Sequence, residues 1–264
     1  MIPSTPKYTF RILLFILVWF YAPLHPCSAQ GPGYKNFVLE EDNKRVKINT
    51  IAATSDGYIY AGTVNGLYKF DGENFKKIYF LNQDYNDTVT AIFQDHQQKI
   101  WIGFFSGRLA HVINGQVVFY NPEEGTPQKK ITAILQDNEQ NIWYASYGEG
   151  VYYIKNNRHY LINAADGLSD VNVSSLALTQ QGDVLAATDQ GINAIHLKNN
   201  KKSIRIIGPA EGLPDYIVTQ ITAAGNNLFW ISLQDKGFCL YDDAAKKIIL
   251  PPLGSSWNYG QVNA

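Results

Sequence analysis

Five histidines, two cysteines and scattered arginines and carboxylates are the side chains here that could bind a metal, carry a proton or attack a substrate. His25, His96, His111, His159 and His196 fall in no His-Glu-x-x-His pair, and Cys27 and Cys239 form no Cys-x-x-Cys. Without two ligands at such spacing a zinc site has no foundation. Neither a Gly-x-Ser-x-Gly elbow nor a Gly-rich phosphate loop occurs, so acyl transfer and nucleotide chemistry have no visible machinery. Arg108, Arg158 and Arg205 recur along the chain, and Asp95–Lys99 and Asp137–Asn141 are acidic turns of the kind found in some sugar hydrolases. The Ser before and the Gly after such turns are missing. No catalytic residue, metal or cofactor is expected in this chain, and the histidines read as surface or packing residues.

Binding is better represented than catalysis. Eleven residues combine aromatic faces, amides and charges in segments where the surrounding pattern diverges: Asn65, Phe104, Phe105, Tyr147, Glu149, Asp189 and Asp235 in one set, and Tyr85, Lys129, Asp170 and Tyr216 in the other. Divergent loops on a rigid frame are where ligand contacts concentrate.

That frame is a repeat. Lys130 to Ile154 reads as three short strands, Ile131 to Gln136, Ile142 to Ala145 and Val151 to Ile154, joined by Asn-, Asp- and Gly-bearing turns. The unit returns around Ile48, Val89, Val173 and Val218. Its second-strand anchor, Tyr60, Trp101, Trp143, Leu185, Trp230, advances in steps of 41, 42, 42 and 45 residues. A period of this size built from strands specifies an all-β fold, a β-propeller with one four-stranded blade per repeat. Five blades are expected here out of about seven. The outer strands fall at Phe75 to Phe80, Gln116 to Tyr120, His159 to Ile162, Ser203 to Ile207 and Lys246 to Leu250. Phe37 to Glu40 reads as a closing strand, and residues 262–264 as the start of a sixth repeat, so that the chain reads as an N-terminal fragment.

Each column of the repeat has a physical reading. Trp101, Trp143 and Trp230 are expected to pack between blades, since a regular column inside strands belongs to a core. Gly62, Gly103, Ala145, Ala187 and Ser232 lie two residues further on and leave room for the next blade. Gly66, Gly107, Gly150, Gly191 and Gly237 supply positive φ before the third strand. The two ligand-candidate sets lie between strands two and three and in the loops leading into strand one, and both should open on the same end of the ring.

Lys7 and Arg11 precede a short apolar run, Ile12 to Ala22, followed by small residues at Cys27–Ala29. This is the pattern of a secretory signal peptide, residues 1–29, leaving a mature region 30–264. Its removal takes two positive charges and leaves 20 basic against 23 acidic residues, near −3, with Cys239 as the single cysteine. Export without disulfides fits a periplasm, and this charge gives no reason to expect nucleic acid as a partner.

The run Ile-Thr-Ala-Ile-Leu-Gln-Asp, then Asn-Ile-Trp, then Gly-Val-Tyr, with the connectors Ala165-Asp-Gly-Leu-Ser-Asp170 and Ala210-Glu-Gly-Leu-Pro-Asp215, resembles the two-component regulator propeller repeat over about residues 36 to 264. Blade four departs from it with Leu185 in place of Trp, and blade five with Ala224-Gly-Asn-Asn227 in its first turn. The resemblance implies the periplasmic sensor region of a membrane histidine kinase, often a hybrid one. It further implies a small extracytoplasmic ligand such as an oligosaccharide, a homodimer in the full-length receptor, and an inner-membrane anchor outside this region. A secreted propeller enzyme, a lyase or sialidase-like hydrolase, and a protein-interaction scaffold are the alternative classes.

Overall fold

The computed structural model describes residues 35–81, 86–120, 126–198 and 201–250. Residues 38–250 belong to one unit, and 35–37 to a separate N-terminal unit. The signal peptide, Tyr85 and the sixth repeat start at 262–264 lie outside the described residues.

A two-residue ribbon, β1 (Glu40–Glu41) with β2 (Lys44–Arg45), precedes five antiparallel four-stranded sheets. Blade one is β3 (Ile48–Ala53), β4 (Ile59–Thr63), β5 (Gly66–Phe70) and β6 (Phe75–Ile78). Blade two is β7 (Val89–Gln94), β8 (Ile100–Phe104), β9 (Leu109–Ile113) and β10 (Gln116–Phe119). Blade three is β11 (Ile131–Gln136), β12 (Ile142–Ser146), β13 (Gly150–Lys155) and β14 (Arg158–Ile162). Blade four is β15 (Val173–Leu178), β16 (Val184–Thr188), β17 (Gly191–Lys198) and β18 (Lys201–Ile207). Blade five is β19 (Val218–Gly225), β20 (Leu228–Leu233), β21 (Gly237–Asp242) and β22 (Lys247–Ile249). In every blade the strands pair in chain order, and β3, β7, β11, β15 and β19 neighbour one another as the inner strands.

The blades interlock by side-chain size. A Cβ on Gly62 would lie 2.5 Å from Val89 Cγ1, and one on Gly103 would lie 2.5 Å from Ile131 Cγ2. The small column therefore admits the first residue of the next inner strand, as expected from the sequence. The anchors share that face. Trp101 clusters with Ile131 and Ile134, Trp143 with Val173 and Val184, and Leu185 with Val218 and Ile221.

Trp230 departs from the packing expected of its column. Trp230 is 42% exposed, while Trp101 and Trp143 are buried. Its face is the one the next blade would cover, and among the described residues no blade follows blade five.

Each inner strand carries a bulge at its second residue, marked by register shifts in all five blades. The bulged residue reaches across to the next blade. Thr90, Thr132 and Ser174 donate hydroxyls to the carbonyls of Ile131, Val173 and Val218 at 2.6–2.7 Å, and Asn49 donates its amide to Val89 at 3.3 Å. A bulge re-aims a side chain out of the regular pleat, and here it becomes an inter-blade tie.

The Gln-Asp…Trp motif is also structural. Asp95 and Asp137 are buried in the first turn of their blades. Asp95 accepts from the Gln97 and Lys99 amides and the Trp101 indole N–H at 2.8–2.9 Å. Asp137 accepts from the Glu139 and Asn141 amides and Trp143 at 2.7–2.9 Å. A buried carboxylate is tolerated only when its lone pairs are filled in this way. The preceding Gln94 and Gln136 accept from Ser55 N and His96 N in the previous blade at 2.8 Å. Both connector motifs fold as short 3-10 turns. The Asp166 and Glu211 carboxylates cap Asn163 N and Gly208 N, and Leu168 and Leu213 plug the gap between blades.

The expected closing strand is reduced to Glu40 in β1. Leu39 is buried against Ala61 and Tyr68 of blade one, and Glu41 accepts from Asn65 Nδ2 at 2.9 Å and Lys77 Nζ at 2.7 Å.

Candidate ligand-binding site

The five glycines before the third strands have φ between 69° and 113°. Here the left-handed backbone is required, because a Cβ on Gly150 or Gly191 would also lie within 2.6 Å of a backbone oxygen. These glycines fix the turns between strands two and three. Backbone bonds tie the turns to the loops leading into the inner strands: Phe105 N to Thr88 O and Tyr147 N to Lys130 O at 2.9 Å, Gly148 N to Val171 O at 3.0 Å, and Gly191 N to Tyr216 O at 2.7 Å. Both loop sets therefore share one end of the arc.

A cavity of about 560 Å³ opens at this end, lined by Lys47, Ile48, Asn49, Thr88, Thr90, Phe105 and Lys130. Blades one, two and three all contribute. Its size falls within the ~300–1,000 Å³ of ordinary small-molecule sites. Phe105 is 61% exposed at its rim, and Tyr147, at the same turn position of blade three, is 44% exposed. Large aromatics held open on rigid turns suit stacking against the apolar face of a planar or ring-shaped ligand.

The expected residues divide into groups. Phe105 lines the cavity. Tyr147, Asp170 and Asp189 come together beside it. Tyr147 OH donates to Asp189 Oδ2 at 3.1 Å, Asn172 Nδ2 donates to the same oxygen at 2.9 Å, and Asp170 Oδ1 accepts from Asn172 N at 2.6 Å. Burial raises the Tyr147 phenol above its ordinary range, with the Asp189 charge adding to it. Glu149 accepts from Gln128 N at 3.1 Å and Ser146 Oγ at 3.0 Å, which makes it a loop brace. Lys129, Tyr216 and Asp235 are exposed on their loops. Asn65 is turned toward Glu41.

Phe104 is a correction. It is the last residue of β8, fully buried against Phe80 and Phe119, and cannot meet a ligand. Two adjacent Phe residues at a strand end point to opposite faces, so only the second is available. Lys47, Thr88 and Lys130 were not anticipated. They occupy one repeat column, the residue immediately before the inner strand, and Lys130 stands next to the anticipated Lys129.

The candidate catalytic groups do not converge. Arg108 lies over the Phe119 ring at 4.7 Å, Arg205 donates to Tyr241 OH at 2.8 Å, and Arg158 pairs with Lys155 in the outer hairpin of blade three. No group of three or more His, Cys, Asp or Glu able to hold a metal occurs among the described residues. Cys239 is buried and its thiol is pushed up to about 12 by that burial. It is therefore an inert core residue. Among the described residues no helix is long and apolar enough to cross a membrane.

No family model matches the sequence, and no curated protein matches it. Solved structures do. The extracellular domain of a candidate hybrid two-component system, BT3049 of B. thetaiotaomicron, is 21% identical, with a TM-score of 0.65 over 80% of this chain and 30% of that one. A streptogramin B lyase is 15% identical, with a TM-score of 0.63 over 84% and 74% of the two chains. PorZ, a surface component of the type-IX secretion system of Porphyromonas gingivalis, is 14% identical, with a TM-score of 0.57 over 76% and 33%. The chain thus has the β-propeller fold, and that fold is shared by extracellular domains of two-component systems. It spans about a third of the length of the BT3049 domain.

Proposed function

We propose that this chain is the ligand-sensing propeller of a two-component receptor, exported to the periplasm, with its ligand held at the end of the arc where the loops of blades one to three meet. The observation that carries this reading is the cavity itself. An exposed aromatic is fixed beside amide, hydroxyl and ammonium groups, on a frame whose Asp95–Trp101 and Asp137–Trp143 pairs are used in bracing its turns. A propeller that spends its Asp and Trp columns on architecture and leaves its chemistry in one set of loops is organised to bind. The ligand class that fits an aromatic rim with hydrogen-bonding walls is a small oligosaccharide. The receptor is a membrane histidine kinase, working as a homodimer, in which the propeller binds and a cytoplasmic region performs the phosphotransfer.

The test is a chromosomal Phe105→Ala substitution. Oligosaccharide-dependent induction of the receptor's target genes should fall while the protein remains extracytoplasmic at its normal level. Unchanged induction, or a chain retained in the cytoplasm, would contradict the proposal.

A further inference from the structure

We infer that the cavity takes an anionic sugar, one bearing a carboxylate or sulfate group, in preference to a neutral one. This rests on the sensor reading above and specifies its ligand.

Lys47 and Lys130 both line the cavity, and no Asp or Glu does. Both lysines are exposed, and among the described residues neither has a carboxylate partner. Each ammonium therefore keeps three donors for a ligand. Their origin is systematic. Both precede the first residue of an inner strand, and the corresponding position of blade two, Thr88, places a hydroxyl on the same wall. Blades four and five carry Asn172 and Ile217 there, so within this column the lysines stand only on the side of the arc that holds the cavity.

Three acids of the neighbouring loops accept hydrogen bonds from their own surroundings. Asp189 accepts from Tyr147 and Asn172, Asp170 from Asn172 N, and Glu149 from Gln128 N and Ser146. A neutral sugar would draw no charge complementarity from the two ammonium groups beside its ring. A uronate or sulfated residue stacked on Phe105 places its charge within reach of one or both. Such complementarity acts on selectivity as well as on affinity.

The experiment is calorimetric titration of the full chain with trigalacturonate, a sulfated heparin-type disaccharide and maltotriose, each at low and high salt. The variants are Lys47→Gln with Lys130→Gln, Phe105→Ala, and, as a control on the outer hairpin of blade four, Lys198→Gln with Lys201→Gln. Thermal melts confirm that each folds. An anionic probe should bind more tightly than maltotriose, weaken at high salt, and lose about tenfold or more in affinity in the Lys47/Lys130 variant but not in the control. Whichever anionic probe binds identifies the group as carboxylate or sulfate. Failure of both anionic probes, or an affinity unchanged by the Lys47/Lys130 substitutions, overturns the inference. Maltotriose binding that is lost in Phe105→Ala and unaltered in the lysine variant would remove the charge preference while leaving the sensor reading intact.

Discussion

Trp143 and Tyr147 show how far neighbouring aromatics can differ in role. Trp143 is 1% exposed, stacks on Tyr153 at 4.9 Å and donates to buried Asp137. Trp143→Ala should cost ~3–5 kcal/mol through lost burial and a cavity, read as a lower midpoint in urea. Tyr147→Ala gives up one exposed hydrogen bond and should cost about 1 kcal/mol or less. His159 adds a pH dependence. Its Nδ1 shares a hydrogen bond with the Tyr144 hydroxyl, and burial pushes the imidazole down to about 4 from 6.5. Between those values the unfolded chain binds the proton that the folded chain refuses, so stability falls as pH drops from 6.5 toward 4. His111, lowered by burial in the same direction, adds to this slope. The melting temperature should therefore decline over that range, and decline less steeply in His159→Gln. A profile unchanged by the substitution would show that the ring is solvated.

At the scale of elements, the bulged hydroxyl column joins blades whose four-stranded sheets are separate from one another. Thr132→Val keeps the shape, removes the 2.7 Å bond to Val173 O and should cost about 1 kcal/mol, measured by urea denaturation. The blades themselves were legible in the sequence, because strand period, turn glycines and interleaved small and large columns are all local or periodic signals. All five outer strands form within the anticipated segments or within two residues of them. The inter-blade hydroxyl ties were not legible, since a bulge shows only in register. Phe104 was misread because a strand that runs one residue longer turns a loop position into core. The two cavity lysines could have been found in the column before the inner strand, but a lysine column reads as solvated surface until a cavity is seen beside it. Trp230 makes a second test here. It belongs to the Trp143 column by sequence but lies on a face uncovered among the described residues, so Trp230→Ala should cost about 1 kcal/mol or less in this chain. A loss matching that of Trp143→Ala would mean that the face is covered in solution.

Over the whole molecule, two ends of the arc carry different work. At one end, Asp95 and Asp137 with their indole N–H partners brace the first turn of their own blades, and Gln94 and Gln136 bridge to the blade before. At the other, exposed aromatics and unpaired ammonium groups surround a cavity. The central claim is that binding belongs to the second end. Hydrogen exchange of the chain, with and without the oligosaccharide that binds best among neutral and acidic probes, tests it directly. The account predicts slowed exchange confined to residues 47–49, 88–90, 104–107 and 129–131. Slowed exchange at the opposite turns, 95–99 and 137–141, or along the outer strands, would contradict it.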